Sequence, residues 1–373
     1  MITELIALLT DAPTLCLLAT ALLTAAYSSY RANDTFFKRT TSNGTSTTSS
    51  PSEQFVDENR RLLEGSTAIA FPVIATISIV FLFFFIHSIG VILTLLSTFS
   101  SVFAVMFFLW PLAELLVSRL RALGVVVHTH TTEAFIVVST GLFIIFAWLF
   151  TGNWIPNNII GISLCVLFAS LCKVPNLKVT CLLFAGLFVY DIFFVFFSEK
   201  VFGRNVMVEV ATSAPTNPIA ALADFLHLPF KPVQNLALPA KLIVPAGRDE
   251  YAILGLGDII LPQILLTYLL ELDLLRPGQA RSWRNGYFFR AVLAYAFALF
   301  MSFYCNFVFR NAQPALLYIV PALLFTTLLY ARSLNEVSIV WDGLHHRTQQ
   351  VVNETIIEQQ DSGKDLETTA LVP

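Results

Sequence analysis

Two aspartates stand in apolar runs where a carboxylate is costly. Asp191 lies within Leu187-Phe188-Val189-Tyr190-Asp191-Ile192-Phe193-Phe194, and Asp258 within Gly255-Leu256-Gly257-Asp258-Ile259-Ile260. A charged side chain at the centre of a membrane helix costs about 2.5–3.5 kcal/mol on insertion scales, so such residues face a partner or water. Two carboxyls about 3 Å apart cannot both ionise cheaply; they share one proton and titrate as a pair. Such a pair can hydrolyse a peptide bond: the ionised member takes a proton from an intervening water while the protonated member polarises the scissile carbonyl, giving a gem-diol. This chemistry calls for no metal, cofactor or covalent intermediate.

A third element, Gln313-Pro314-Ala315-Leu316-Leu317-Tyr318, opens the last apolar run. Proline is common at a helix start, but Pro321 follows within two turns and removes a helical hydrogen bond. Irregular backbone at membrane depth is tolerated where it is buried or lines a watery cavity. Each element alone has an ordinary reading: a structural polar contact for the Tyr-Asp pair, a helix start for the other two. Their joint occurrence on three late helices is far more specific.

The elements that position these residues are membrane helices. Hydrophobic residues make up 56% and charged residues 13% of the 373. With a mean hydropathy of +0.73, the chain is an integral membrane protein. A net charge of -3 gives no nucleic-acid surface. The five cysteines lack metal-ligand spacing and read as small core residues. Apolar runs at 5–27, 68–117, 132–150, 155–172, 179–197, 252–270, 288–309 and 313–330 predict nine crossings, the second run being too long for one and divided by a turn at His87-Ser88. A cleavable signal peptide competes at 1–27, but Glu4 and the lack of a basic residue there favour a retained helix. The expected organisation is a first helix at 1–27, a polar cytosolic linker at 28–66, helices two to five at 67–172, a catalytic region at 173–330 with an outer loop at 198–251, and a flexible cytosolic tail at 331–373.

With the amino terminus outside, only Lys200, Arg204, Lys231, Lys241, Arg248 and Arg310 of the 22 basic residues face outward, as the positive-inside rule wants. The sequons at Asn33, Asn43 and Asn353 then lie in the cytosol, unglycosylated. In this topology the sixth helix runs outward and the seventh returns, and both aspartates lie about 10 Å below the outer face at 1.5 Å per residue. Gly255 and Gly257 are read as permitting close approach of helices or of a substrate backbone. The β-branched stretch Lys241-Leu242-Ile243-Val244-Pro245 suits a short edge strand that pairs with an unwound substrate, as well as an ordinary linker. The rival reading is a channel or secondary transporter using midplane acids, but no inverted repeat is visible. No HExxH is present, and Gly161-Ile162-Ser163-Leu164 lacks the second glycine of a rhomboid-type serine motif.

The F-V-Y-D, G-L-G-D and Q-P-A-L-L-Y elements resemble those of the intramembrane GxGD aspartyl proteases, the family of presenilin and the signal peptide peptidases. The resemblance implies an all-α polytopic membrane protein of presenilin-like fold with nine transmembrane helices. It assigns catalysis to Asp191 and Asp258, and active-site shaping to Tyr190, Gly255, Leu256, Gly257, Pro314, Ala315 and Leu316. Gln313, Leu242, Ile243 and Val244 are the expected substrate-binding residues. The stretch from Asn205 to Thr212, with Lys241-Leu242-Ile243-Val244-Pro245, is most similar to the third signal peptide peptidase-like subtype. That implies type II membrane proteins as substrates, glycosyltransferases among them, in the Golgi or endoplasmic reticulum. The partners are then the substrates and the bilayer, with homo-oligomerisation left open.

Overall fold

The computed structural model describes residues 11–43, 65–124, 128–204, 206, 210, 217–227, 232–247, 251–275, 286–309 and 313–343. In chain order these form α1 (Ala12–Asn43), α2 (Gly65–Ala122), α3 (Thr129–Thr151), α4 (Trp154–Leu171) and α5 (Leu177–Ile192). A π-helical turn, Phe193–Phe197, then leads into α6 (Ser198–Phe202) and α7 (Pro218–Phe225). An antiparallel pair of strands follows, β1 (Lys241–Pro245) and β2 (Tyr251–Gly255), and then α8 (Gly257–Leu275), α9 (Tyr287–Phe309), α10 (Leu316–Ser333) and α11 (Val337–Asp342).

Seven helices among the described residues are long and apolar enough to cross a membrane. The expected nine would also need α8 and the first part of α2, which do not meet that standard; the apolar helix Ile69–Phe85 is shorter. Large apolar side chains such as Ile92, Leu96, Phe99, Phe135 and Phe143 project outward from α2 and α3, as lipid-facing surfaces do. α8 is the hub, touching α1, α4, α5, α9 and α10, with Ile259, Leu265, Leu266 and Leu269 buried.

Several expected boundaries move. The turn at His87-Ser88 is not formed: α2 stays helical through both residues, neither of which breaks a helix as proline does. The cytosolic linker expected from residue 28 begins later, because α1 continues to Asn43. Its polar residues are core residues. Ser28 Oγ donates to Gln263 Oε1 at 2.7 Å, Gln263 Nε2 donates to the Cys165 carbonyl at 2.9 Å, and Asn33 Nδ2 donates to the Thr267 carbonyl at 3.2 Å. Lys173 extends this seam, donating to Asn33 Oδ1 at 3.3 Å and pairing with Glu271 at 3.2 Å. Buried polar groups placed this way satisfy one another and so fix how α1, α4 and α8 register. The remainder of the linker, at 44–64, lies outside the described residues.

The tail expected to be flexible from residue 331 is ordered to Gly343. Val340 is buried, its carbonyl accepts from Tyr268 Oη at 2.8 Å, and Glu336 accepts from Tyr287 Oη at 3.0 Å. Residues 344–373 lie outside the described residues. On the same end of the bundle Asp273 of α8 caps α9, its two carboxylate oxygens accepting from Tyr287 N at 3.0 Å and Phe288 N at 2.8 Å. A Cβ on Gly286 would collide with that carboxylate. Gly286→Ala is therefore expected to displace the cap at a cost of about 1–2 kcal/mol, read as a lower unfolding temperature in detergent; an unchanged temperature would show that the cap is not needed.

Candidate active site

Residue 191 is placed by α5, which Asn176 starts by accepting from Val179 N at 2.9 Å. Asp191 falls at the end of that helix, only 7% exposed, immediately before the π-helical turn Phe193–Phe197. Such turns are rare and cluster at functional sites. Tyr190 stacks on Phe194, with ring centroids 4.9 Å apart. Both belong to a small apolar cluster with Ile79 and Val206 that packs against the turn.

The partner of Asp191 comes from the far end of the chain. Pro314 and Ala315 make the turn that opens α10, their carbonyls accepting from Leu317 N at 3.2 Å and Tyr318 N at 3.1 Å. The first amides of a helix have no acceptor within it. Leu316 N donates to Asp191 Oδ2 at 3.1 Å. The carboxylate thus satisfies an orphan donor and sits at the positive end of a helix dipole, which offsets its burial. Gln313 lies just outside, its Oε1 accepting from Tyr318 Oη at 3.4 Å. Pro321 falls inside α10 without interrupting it: the missing amide removes one hydrogen bond, and the neighbouring turns carry the helix on.

Asp258 is positioned by another route. The helix expected from residue 252 begins at Gly257, because 251–255 pair with β1 in the register Lys241↔Gly255, Ile243↔Ile253 and Pro245↔Tyr251. One short two-stranded sheet is thus set within a mostly helical, all-α type of membrane protein. Leu256 N extends the ladder to the Ala240 carbonyl at 3.0 Å, and Leu256 O accepts from Ile259 N at 3.0 Å and Ile260 N at 2.8 Å. Leu256 is therefore the hinge from strand to helix. Its side chain, with that of Leu242, would lie 3.3 Å from a Cβ on Gly161 of α4. Asp258 occupies the first turn of α8, where a carboxylate is favoured. α5, α8 and α10 are mutual neighbours.

The two motif glycines do not serve helix packing, as one reading of the sequence had them. A Cβ at Gly257 would meet nothing within 4 Å, and one at Gly255 would meet only Asp258 Oδ2 at 3.6 Å. Space in front of the acid is kept open. Close packing falls instead at glycines such as Gly161, against Leu242 and Leu256, and Gly186 of α5, against Pro72 of α2.

The edge of β1, expected to receive substrate through Leu242, Ile243 and Val244, is already filled. Asn158 of α4 accepts from Ile243 N at 2.9 Å and donates to Ile243 O at 2.7 Å, and Asn157 donates to Lys241 O at 3.0 Å. In an antiparallel ladder the N–H and C=O of one residue point to the same side. Ile243 therefore faces away from β2, and Tyr251, Ile253 and Gly255 opposite face away from β1. Among the described residues the backbone groups of Ile253 have no hydrogen-bond partner, and Tyr251 and Ile253 are exposed. The open edge belongs to β2. Sequence reasoning missed Asn157, Asn158 and the π turn; an Asn-Asn pair inside an apolar run was the available signal.

The sequence model described as signal peptide peptidase matches residues 53–347. The chain belongs to the signal peptide peptidase family. Signal peptide peptidase-like 1 of rice (Oryza sativa subsp. japonica) is 32% identical over 305 residues, covering 75% of this chain and 82% of the relative. Its Arabidopsis thaliana namesake is 31% identical over the same length and shares. Signal peptide peptidase of the mouse is 34% identical over 192 residues, 51% of this chain and 44% of the relative. Family membership makes the protein a membrane-embedded aspartic protease, a hydrolase of peptide bonds, and sets aside the transporter reading. Ser163 is no rival nucleophile: it is buried and donates to the Ile159 carbonyl at 2.7 Å.

Proposed function

We propose that Asp191 and Asp258 are the catalytic pair of this protease. The observation that carries the reading is the Leu316 amide on Asp191, which ties one acid to the Pro314–Leu316 turn, on helices packed against the one that carries the other acid. One carboxylate removes a proton from water as its oxygen bonds to the scissile carbon; the other carboxyl gives its proton to the carbonyl oxygen. Collapse of the gem-diol then breaks the C–N bond, with proton transfer to the leaving amine. Gly257 leaves room for the substrate backbone in front of Asp258, and Pro314, Ala315 and Leu316 wall the other side.

A helix in the bilayer hides its own peptide bonds, so a scissile stretch must unwind and find new partners for its backbone. The open edge of β2 offers these by strand addition, with Gly255 at the end nearest Asp258. In this reading Leu242 and Val244 hold β2 in place from the neighbouring strand. Gln313 flanks the cleft.

The substrates proposed are type II membrane proteins, glycosyltransferases among them, cut within or near their anchors in the Golgi or endoplasmic reticulum, as for the third signal peptide peptidase-like subtype. The supporting argument is orientation: an outer amino terminus leaves most basic residues in the cytosol. Purified protein given a synthetic type II helix should release two fragments, and a diol-mimicking aspartyl inhibitor should stop it. Uncut substrate, or cleavage indifferent to the inhibitor, would overturn the proposal.

Orientation has its own test. Asn33 is buried with its side chain engaged by Ser29, Thr267 and Lys173, so it accepts no glycan on either side. Asn43 and Asn353 are the informative sequons. N-glycosidase treatment of protein from secretory membranes is expected to leave its mobility unchanged; a shift abolished by Asn43→Gln or Asn353→Gln would invert the topology.

A further inference from the structure

Pro262 stands four residues after Asp258 inside α8. In an α-helix the amide at i+4 is the donor to carbonyl i, and proline has no amide hydrogen. The carbonyl of Asp258 is thereby deprived of its helical partner, one peptide unit from the Asp258 side chain. Tyr295 of α9 fills the gap: its Oη donates to the Asp258 carbonyl oxygen at 2.9 Å. Tyr295 is wholly buried, packed with Ala291, Ala298 and Leu299 in the main core. A phenylalanine would fill that space as well, so the hydroxyl group itself has to be explained.

We infer that Tyr295 is a positioning residue for Asp258, its hydroxyl replacing the hydrogen bond that Pro262 withholds from the first turn of α8. Without a donor the Asp258 carbonyl would be buried and unpaired, which is costly, and the turn would relax to find one. The carboxyl would move with it, out of register with Asp191. Proline here has a use of its own. It frees the carbonyl from the helix ladder so that the aspartate's backbone is held from a neighbouring helix, and α9 gains a direct hold on a site to which it contributes no carboxylate.

This inference rests on the reading of Asp258 as half of the acid–base pair. Its test is a cycle of Tyr295→Phe, Pro262→Ala and the double variant in the full-length protein, with Asp258→Asn alongside. Tyr295→Phe is expected to lower kcat about tenfold with KM unchanged, and to shift the pH profile of kcat/KM, which loss of a merely space-filling tyrosine would not do. Pro262→Ala returns an amide to the carbonyl, so in that background removal of the hydroxyl should cost less than about twofold. Parental kcat and pH profile for Tyr295→Phe, or an equal loss in both backgrounds, would overturn the inference. Should Pro262→Ala be inactive by itself, the unfolding temperatures of the four proteins decide: non-additive shifts support the exchange of donors and additive shifts refute it. If Asp258→Asn cleaves like the parent, the catalytic reading fails first; if it is inactive while Tyr295→Phe is unimpaired, only the present inference fails.

Discussion

Asp191→Asn and Asp258→Asn are each expected to abolish cleavage of a type II helix while leaving a folded, inserted protein. The amide keeps the shape of the carboxyl but neither takes a proton from water nor cycles between the two protonation states. Loss of general acid–base catalysis alone amounts to about 10² to 10⁴-fold. Asp191→Asn keeps an oxygen that can accept from Leu316 N, so the opening of α10 should survive, and unfolding temperature and binding of a diol-mimicking probe should separate lost chemistry from lost structure. Turnover above about one per cent of the parent in either variant would contradict a two-acid mechanism.

The second large effect is expected at the edge of β2. Ile253→Pro removes an amide that points away from β1, so the hairpin keeps its own hydrogen bonds, and proline is tolerated on an edge strand. A substrate strand would then leave a carbonyl unpaired. At about 2 kcal/mol for such a buried group the rate falls about 30-fold, whereas Ile253→Ala, which keeps the amide, should stay within a few-fold of the parent. Ile243→Pro is a different experiment, since it takes a donor from Asn158 and loosens β1 from α4. Equal cleavage by Ile253→Pro and the parent would show that substrate does not lie along this edge.

The site was readable where single residues carry a bilayer cost. Asp191 and Asp258 are conspicuous because hydrocarbon makes them so, and Pro314 marks the turn that meets Asp191. What was hidden depends on partners distant in sequence. Ser28 and Asn33 look like the start of a linker until Gln263 and Thr267, more than 230 residues later, appear as their hydrogen-bond partners. Ala252-Ile253-Leu254-Gly255 is as apolar as the helix that follows it; a short apolar run does not declare its period, and only pairing with 241–245 decides for a strand. Tyr295 carries no local signal, for its importance is created by a hydrogen that Pro262 lacks. Pro262, four residues from the acid, was the clue available.

The bond between Leu316 and Asp191 joins residues 125 apart in the chain, and that separation has a consequence in time. A ribosome adds about 5–20 residues per second, so about 6–25 s pass between synthesis of the acid and synthesis of its amide donor. Asp258 is made within that interval. A chain still tethered at its carboxyl end therefore holds both acids in helices already delivered to the membrane, yet lacks the turn that orients one of them. On the proposed two-acid mechanism, newborn helices sharing the same translocation site pass beside a protease that is not yet armed, and it is the arrival of α10 that arms it.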